Sequence, residues 1–177
     1  MARPHIAKSE QRGDWETPKG LFDWCDKTFG PFDMDAAAAE HQYTAQVILG
    51  RGGRICIETP EGAEKGSMSP SKSHILYDAF EHPWHGRVFL NPPYGPPQLL
   101  YAFIEKTVRE IKFQNVELVC ALLPSRTGTR WWQDYVVDRA TRHPLLGHLE
   151  FLRGRLKFGQ AEDVAPFASV VVVWRSP

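Results

Sequence analysis

Asn91, Pro92, Pro93 and Tyr94 carry the most specific chemistry in this chain of 177 residues. Asn91 offers an amide carbonyl as a hydrogen-bond acceptor. Proline has no N–H, so the Pro92 carbonyl can point into a site with no neighbouring donor competing for it. Two such acceptors can hold both hydrogens of a planar –NH2 group. Tyr94 can stack on the ring that bears the amine, a contact worth roughly 1–3 kcal/mol per base. Together the four residues read as a clamp for an amine on a flat heterocycle. They read equally as a Pro-Pro turn with a capping Asn, and context has to separate the two.

The context is a strand end. Arg87-Val88-Phe89-Leu90 is a short apolar run of the kind that forms a buried strand, and Gly95-Pro96-Pro97 prevents it from continuing. In open α/β sheets ligands bind outside the carboxyl ends of the strands. Other elements follow from pattern. Thr17-Pro18 opens a helix that Thr17 can cap, with Leu21, Phe22, Trp24, Cys25 and Phe29 on its apolar face and Gly30-Pro31 as its stop. Phe32 to Asp35 alternates like a strand, and residues 36–45 can continue as a helix. His74 to Tyr77 and Val116 to Leu123 read as strands, Gln98 to Lys112 and Thr129 to Arg139 as helices. His148 to Leu152 and Ala168 to Trp174 read as a neighbouring antiparallel pair. Alternating strand and helix signals predict a three-layer α/β sandwich.

Composition narrows the class. A hydrophobic content of 42% with 24% charged residues excludes a disordered chain and favours one globular domain over residues 1–177. Residues 1–13 are polar and aperiodic and read as a loose arm. Residues 50–73, rich in Gly, Pro and Ser, read as a flexible insertion with a short strand at Arg54 to Glu58. The formal net charge is zero, yet Arg126 to Lys157 holds seven Lys/Arg against three acids, enough for a local basic face. Cys25, Cys56 and Cys120 are odd in number and widely spaced, which fits a reducing cytosol and no disulfide framework. No apolar run approaches a membrane span. Nothing in the sequence requires an obligate protein partner. His74, Asp78, His82 and His85 invite a metal reading, but Pro83 breaks the helix that such spacing needs, and no metal is expected.

These residues, in this order, resemble the small phage-type DNA adenine-N6 methyltransferases, the Dam-like group. The resemblance runs through Trp15-Glu16-Thr17-Pro18, Phe32 to Ala38, Asp78 to Trp84 and Phe89 to Gly95. It continues through Leu122 to Thr127 with Trp131-Trp132, and Arg153 to Phe158. Asn-Pro-Pro-Tyr by itself is shared with methyltransferases of protein glutamine and of RNA; the ordered set is more specific. The resemblance implies a single-domain Rossmann-like fold that uses S-adenosylmethionine, with a mostly parallel sheet and the C-terminal antiparallel pair. It implies methyl transfer to N6 of an adenine flipped out of duplex DNA, in a host cytoplasm if the chain is phage-encoded.

The resemblance also implies site residues. Thr17 and Pro18 would meet the cofactor's carboxylate, Asp35 and Ala36 its amino end, and Asp78 and Phe80 its adenine. Asn91 would lie between cofactor and target, and Asn91, Pro92, Pro93 and Tyr94 would hold the base. Arg126, Thr127, Arg153, Arg155 and Lys157 would contact DNA. The chain departs from the pattern at Ala36 to Ala39, where many methyltransferases place glycines that let the cofactor approach the backbone. Each residue has a plainer reading beside this one. Thr17-Pro18 is a common helix start, Asp35 can cap a following helix, and the Arg/Lys residues can form a solvated hairpin. Trp131 and Trp132 read as core and lid rather than as base wedges. Methylation of RNA or of a protein glutamine, and a catalytically silent DNA-binding module, are the alternatives in function.

Overall fold

Val116 to Pro124 and Ser169 to Arg175 are too apolar to leave either face in water, so they must lie inside a sheet covered on both sides. In the computed structural model they are strands β5 (Val116–Pro124) and β7 (Ser169–Arg175), hydrogen-bonded to each other within one sheet. The structure describes residues 16–38, 47–50, 55–57, 79–80, 82–95, 97–113, 115–137, 146–159 and 161–177. Among them the other strands are β1 (Met34–Ala38), β2 (Val47–Gly50), β3 (Ile55–Ile57), β4 (Gly86–Leu90) and β6 (Leu146–Phe151). The helices are α1 (Lys19–Phe29), α2 (Pro97–Lys112) and α3 (Arg130–Tyr135). The strand order is β3-β2-β1-β4-β5-β7-β6. β2, β1, β4 and β5 are parallel neighbours; β3 runs against β2, and β7 runs against both β5 and β6.

Register shows which face each helix covers. Asp35, Phe89, Cys120, Val173 and His148 form one row across five strands, so their side chains share a face. α1 lies over that row. Its Phe22 meets Phe89 edge-on at 5.0 Å, its buried Cys25 neighbours Cys120, and its Phe29 lies 5.2 Å from His148. The next row, Val88, Val119 and Trp174, faces the other way. There the Trp174 indole N–H donates to the Tyr135 carbonyl at the end of α3 (3.0 Å), and Tyr135 meets Tyr101 of α2 at 5.8 Å. The result is helix, sheet, helix, as the alternating pattern predicted.

A set of bonds at the start of β4 fixes α1 along the strand. The Arg87 guanidinium donates to the Phe29 and Gly30 carbonyls (3.0 and 2.8 Å) and to Glu117 on β5 (2.6 Å). The Asp33 carboxylate accepts from the Arg87 N–H at 2.8 Å. The C-terminus of α1 is therefore tied to the beginning of β4. Eleven helical residues and five strand residues each span about 16 Å. The N-terminus of α1 consequently reaches the far end of β4, where Asn91 stands.

Several expectations need correction. Ala36 to Ala38 form strand, not helix: they prolong β1, whose Met34 and Asp35 lie between β2 and β4 and whose Ala38 pairs with Gly50 of β2. The N-cap of α1 is Pro18, one residue after Thr17. The helix expected over Thr129 to Arg139 ends at Tyr135. The short strand expected at Arg54 to Glu58 is present as β3 (Ile55–Ile57), and Gly50 ends β2. The arm 1–13, the strand expected at 74–77, Asp78 and the remainder of 50–73 lie outside the described residues. Trp131 and Trp132 are core residues, as expected. No described helix is long and apolar enough to cross a membrane.

Two outcomes follow. Gly86 has φ 64°, and a Cβ there would collide with the Asp33 carboxylate. Gly86→Ala is expected to lower stability by about 2 kcal/mol or more in a urea melt, combining left-handed strain with loss of the Asp33 contact. The Cys25 hydrogen bond, together with burial, holds the Cys120 thiol well above its usual range. Cys120 should therefore resist a thiol reagent in the native state and react fully after denaturation.

Candidate active site

β4 ends at Leu90 because Pro92 and Pro93 cannot extend the ladder. The turn that follows is buried: Asn91 is 2% exposed and Tyr94 5%. A buried amide needs hydrogen-bond partners at both ends. The Asn91 Nδ2 donates to Thr17 Oγ1 at 2.9 Å, which ties the turn to the residue before α1. At the other end the Tyr94 hydroxyl lies 2.7 Å from Asn91 Oδ1 and 2.8 Å from the Leu122 carbonyl on β5. One hydroxyl has one proton, so Tyr94 can serve either acceptor but not both at once.

Aromatic rings surround Tyr94. Phe158 meets it at 6.0 Å and Phe167 at 5.4 Å, both edge-on. Both come from the connection between β6 and β7, which crosses the carboxyl edge of the sheet. Backbone bonds hold that connection in place: Gly159 N–H to the Glu16 carbonyl (3.0 Å), Ala165 N–H to Leu156 (2.7 Å), and Leu152 N–H to Ser169 (3.0 Å). Gly159 has φ 48°, and a Cβ there would press on Glu16, so this close approach needs glycine.

Of the residues expected at a cofactor, Thr17, Pro18, Asp35 and Ala36 stand at the start of α1 and on the adjacent strand β1. Asp35 is buried on the α1 face, and its carboxylate accepts from the Ala37 N–H at 3.1 Å. Phe80 packs on Phe103 of α2 at 4.7 Å. Asp78 lies outside the described residues. Asn91, Pro92, Pro93 and Tyr94 are together and buried.

The expected DNA contacts reach the same edge by two routes. Arg126 and Thr127 follow β5, while Arg153, Arg155 and Lys157 follow β6, and all five are exposed. The two segments meet through β7, where the Ser125 N–H donates to the Ala168 carbonyl at 2.8 Å. The Arg126 guanidinium lies 5.9 Å from the centre of the Phe167 ring. Sequence reasoning did not single out Phe158, Phe167 or the Leu122 carbonyl as site components. Phe158 closes the quoted Arg153 to Phe158 motif, and Phe167 precedes the last strand, so both left a signal. A backbone carbonyl leaves none.

No protein-family model matches the chain. It is similar to a curated protein of Escherichia phage T1 named DNA N-6-adenine-methyltransferase, at 24% identity over 120 residues. That match covers 68% of this chain and 39% of the phage protein, so it accounts for well under half of the relative's length. An α/β sheet with a parallel centre and an antiparallel C-terminal pair is consistent with a methyltransferase-like fold.

Proposed function

We propose that this protein is an S-adenosylmethionine-dependent methyltransferase that acts on N6 of adenine in DNA. The observation that carries the reading is the Asn91 amide at the carboxyl end of β4, fixed between Thr17 and Tyr94. The motif order and the distant similarity to a phage protein of that activity support it.

The residues present suit the cofactor. Thr17 stands at the N-terminal end of an eleven-residue helix, where a carboxylate is favourably placed. Asp35, buried on the neighbouring strand, is suited to a cationic amino group. When bound, S-adenosylmethionine supplies an electrophilic methyl group. The protein's part is to prepare the amine. Adenine N6 is a poor nucleophile because its lone pair is delocalised into the ring. Asn91 Oδ1 and the Pro92 carbonyl accept its two N–H groups and draw them out of the ring plane, which localises the lone pair. Tyr94 hands Asn91 Oδ1 to the amine and keeps its own proton bonded to Leu122, 2.8 Å away. No general base is needed before attack, since the proton can leave afterwards. Most of the catalysis is positioning and electrostatics.

Tyr94 supplies the stacking surface, with Phe158 and Phe167 beside it. Tyr94 is 5% exposed, so an entering base displaces side chains that now pack around it. Extruding that base from a duplex costs a few kcal/mol. Arg126, Arg153, Arg155 and Lys157, exposed at the same edge, hold the phosphates on either side.

The decisive test is transfer of labelled methyl to duplex DNA. Label is expected in N6-methyladenine, and Asn91→Ala should lower the rate by about 100-fold or more. Its cofactor affinity should fall less than about tenfold, the cost of one lost hydrogen bond to Thr17. Normal turnover by the variant would refute the assignment, and label appearing only in RNA or protein would redirect it. Arg155→Ala should weaken DNA binding at every sequence and reduce the slope of log affinity against log salt by about 1. An unchanged slope in a fluorescence titration would remove Arg155 from the interface.

A further inference from the structure

Among the described residues one buried side-chain polar atom has no hydrogen-bond partner: Ser169 Oγ. Ser169 is 1% exposed. Leaving a hydroxyl desolvated and unpaired is unfavourable, and native interiors keep few such groups. The register shows where this one lies. Ser169 is paired with Pro124, Val171 with Leu122 and Val173 with Cys120. Cys120 faces α1, so Leu122 and Pro124 do as well, and Ser169 with them. Continuing β4 one residue past the Leu90–Ala121 pair puts Asn91 on that same face, level with Leu122. Ser169 therefore shares a face with Asn91 and lies two residues nearer the carboxyl edge. Two contacts bring it close to Tyr94. Phe167, two residues before it, packs on the Tyr94 ring, and Leu122, whose strand partner is two residues after it, accepts from the Tyr94 hydroxyl.

The described residues placed against the base, Asn91, Pro92, Tyr94, Phe158 and Phe167, leave a donor to its ring nitrogens to be supplied. Asn91 Oδ1 and the Pro92 carbonyl are acceptors and use up the hydrogens of the adenine amine. The remaining polar atoms of the base are ring nitrogens, which only accept. Tyr94, Phe158 and Phe167 present rings to the base rather than donors. We propose that Ser169 is a substrate-contacting residue whose hydroxyl donates to a ring nitrogen of the extruded adenine. The inference rests on the methyltransferase reading above. It also explains why a strand otherwise filled by Val170 to Trp174 begins with a polar residue.

The test compares wild type with Ser169→Ala on a duplex methylated by the wild type, and on the same duplex carrying 1-deaza-, 3-deaza- or 7-deazaadenine at the target. Ser169→Ala should lower kcat/KM on adenine by about 3- to 10-fold, the usual effect of one hydrogen bond. Its unfolding temperature should hold or rise, because an unpaired polar group has been removed. On one of the three analogues the ratio of wild-type to variant kcat/KM should fall to about 1, while on the other two it keeps its value on adenine. Both proteins meet the same oligonucleotide, so altered amine basicity cancels. Equal kcat/KM for the two proteins on adenine would overturn the proposal. So would equal sensitivity to all three analogues, or a variant that melts several degrees lower, which would give the hydroxyl a structural role. Wild type that transfers methyl with Ser169→Ala unchanged sinks this inference alone. Wild type that methylates no adenine sinks the enzymatic reading and this inference together.

Discussion

A strand buried on both faces cannot carry polar side chains along its length, and the rest of this structure follows from that. Leu118 to Leu123 and Val170 to Trp174 are buried residue after residue. Every polar group placed there would need a partner inside the core or would cost free energy. Chemistry is therefore excluded from the middle of the sheet and displaced to its ends. At the carboxyl edge the parallel strands β1, β4 and β5 all terminate, so Asp35, Asn91 and the Leu122 carbonyl come within the span of a few residues. β7 runs the opposite way and begins at that edge, which adds Ser169 and, just before it, Phe167.

The edge would be loose if the helix above it could slide. Arg87 prevents this by bonding the last carbonyls of α1 at the opposite end of β4. The matched lengths of α1 and β4 then bring Thr17 to Asn91, although 74 positions separate them. Both ends of one helix are tied to one strand, and the Asn91 amide is oriented as a consequence. Such orientation matters for the proposed acceptor role, which bends two N–H groups out of a ring plane, because a rotating amide would present nitrogen as often as oxygen. Tyr94 contributes in the same way from the other side, and the nearby Leu122 carbonyl gives its proton a second position without leaving the core.

Much of this was legible from the chain because the signals were local. The apolar run of β5, the periodicity of α2 and the Pro-Pro stop after β4 each fix an element without help from elsewhere. The misreadings occurred where tertiary pairing overrode local preference. Four consecutive alanines favour helix, yet Ala36 to Ala38 continue strand β1, with Ala38 paired to Gly50 of β2. Thr129 to Arg139 has helical spacing, but α3 stops before Val136 and Val137, and β-branched residues are weak helix formers. The insertion of β7 between β5 and β6 is a topological fact with no local signature. Because of that insertion the aromatic neighbours of Tyr94 come from a connection that reads, by sequence, only as a basic hairpin.

The two buried polar side chains on adjacent strands show how the edge divides its work. Asn91 and Asp35 are nearly equally inaccessible, at 2% and 3% exposure. A carboxylate in the position of Asn91, which is 2% exposed, would bury a charge and carry its desolvation cost. An amide accepts as well as a carboxylate does in direction, and it leaves no uncompensated charge when the site is empty. Asp35 is in the other situation. It accepts a backbone N–H from Ala37 and lies where the proposed cofactor brings a positive charge, so an acid is tolerable there and useful. The exposed Arg126, Arg153, Arg155 and Lys157 complete the arrangement outside the buried zone, where phosphates can be met without desolvating either partner fully. Neutral acceptor inside, acid on the neighbouring strand and cations at the rim form a gradient of charge along one sheet edge. The zero net charge of the whole chain gives no hint of it.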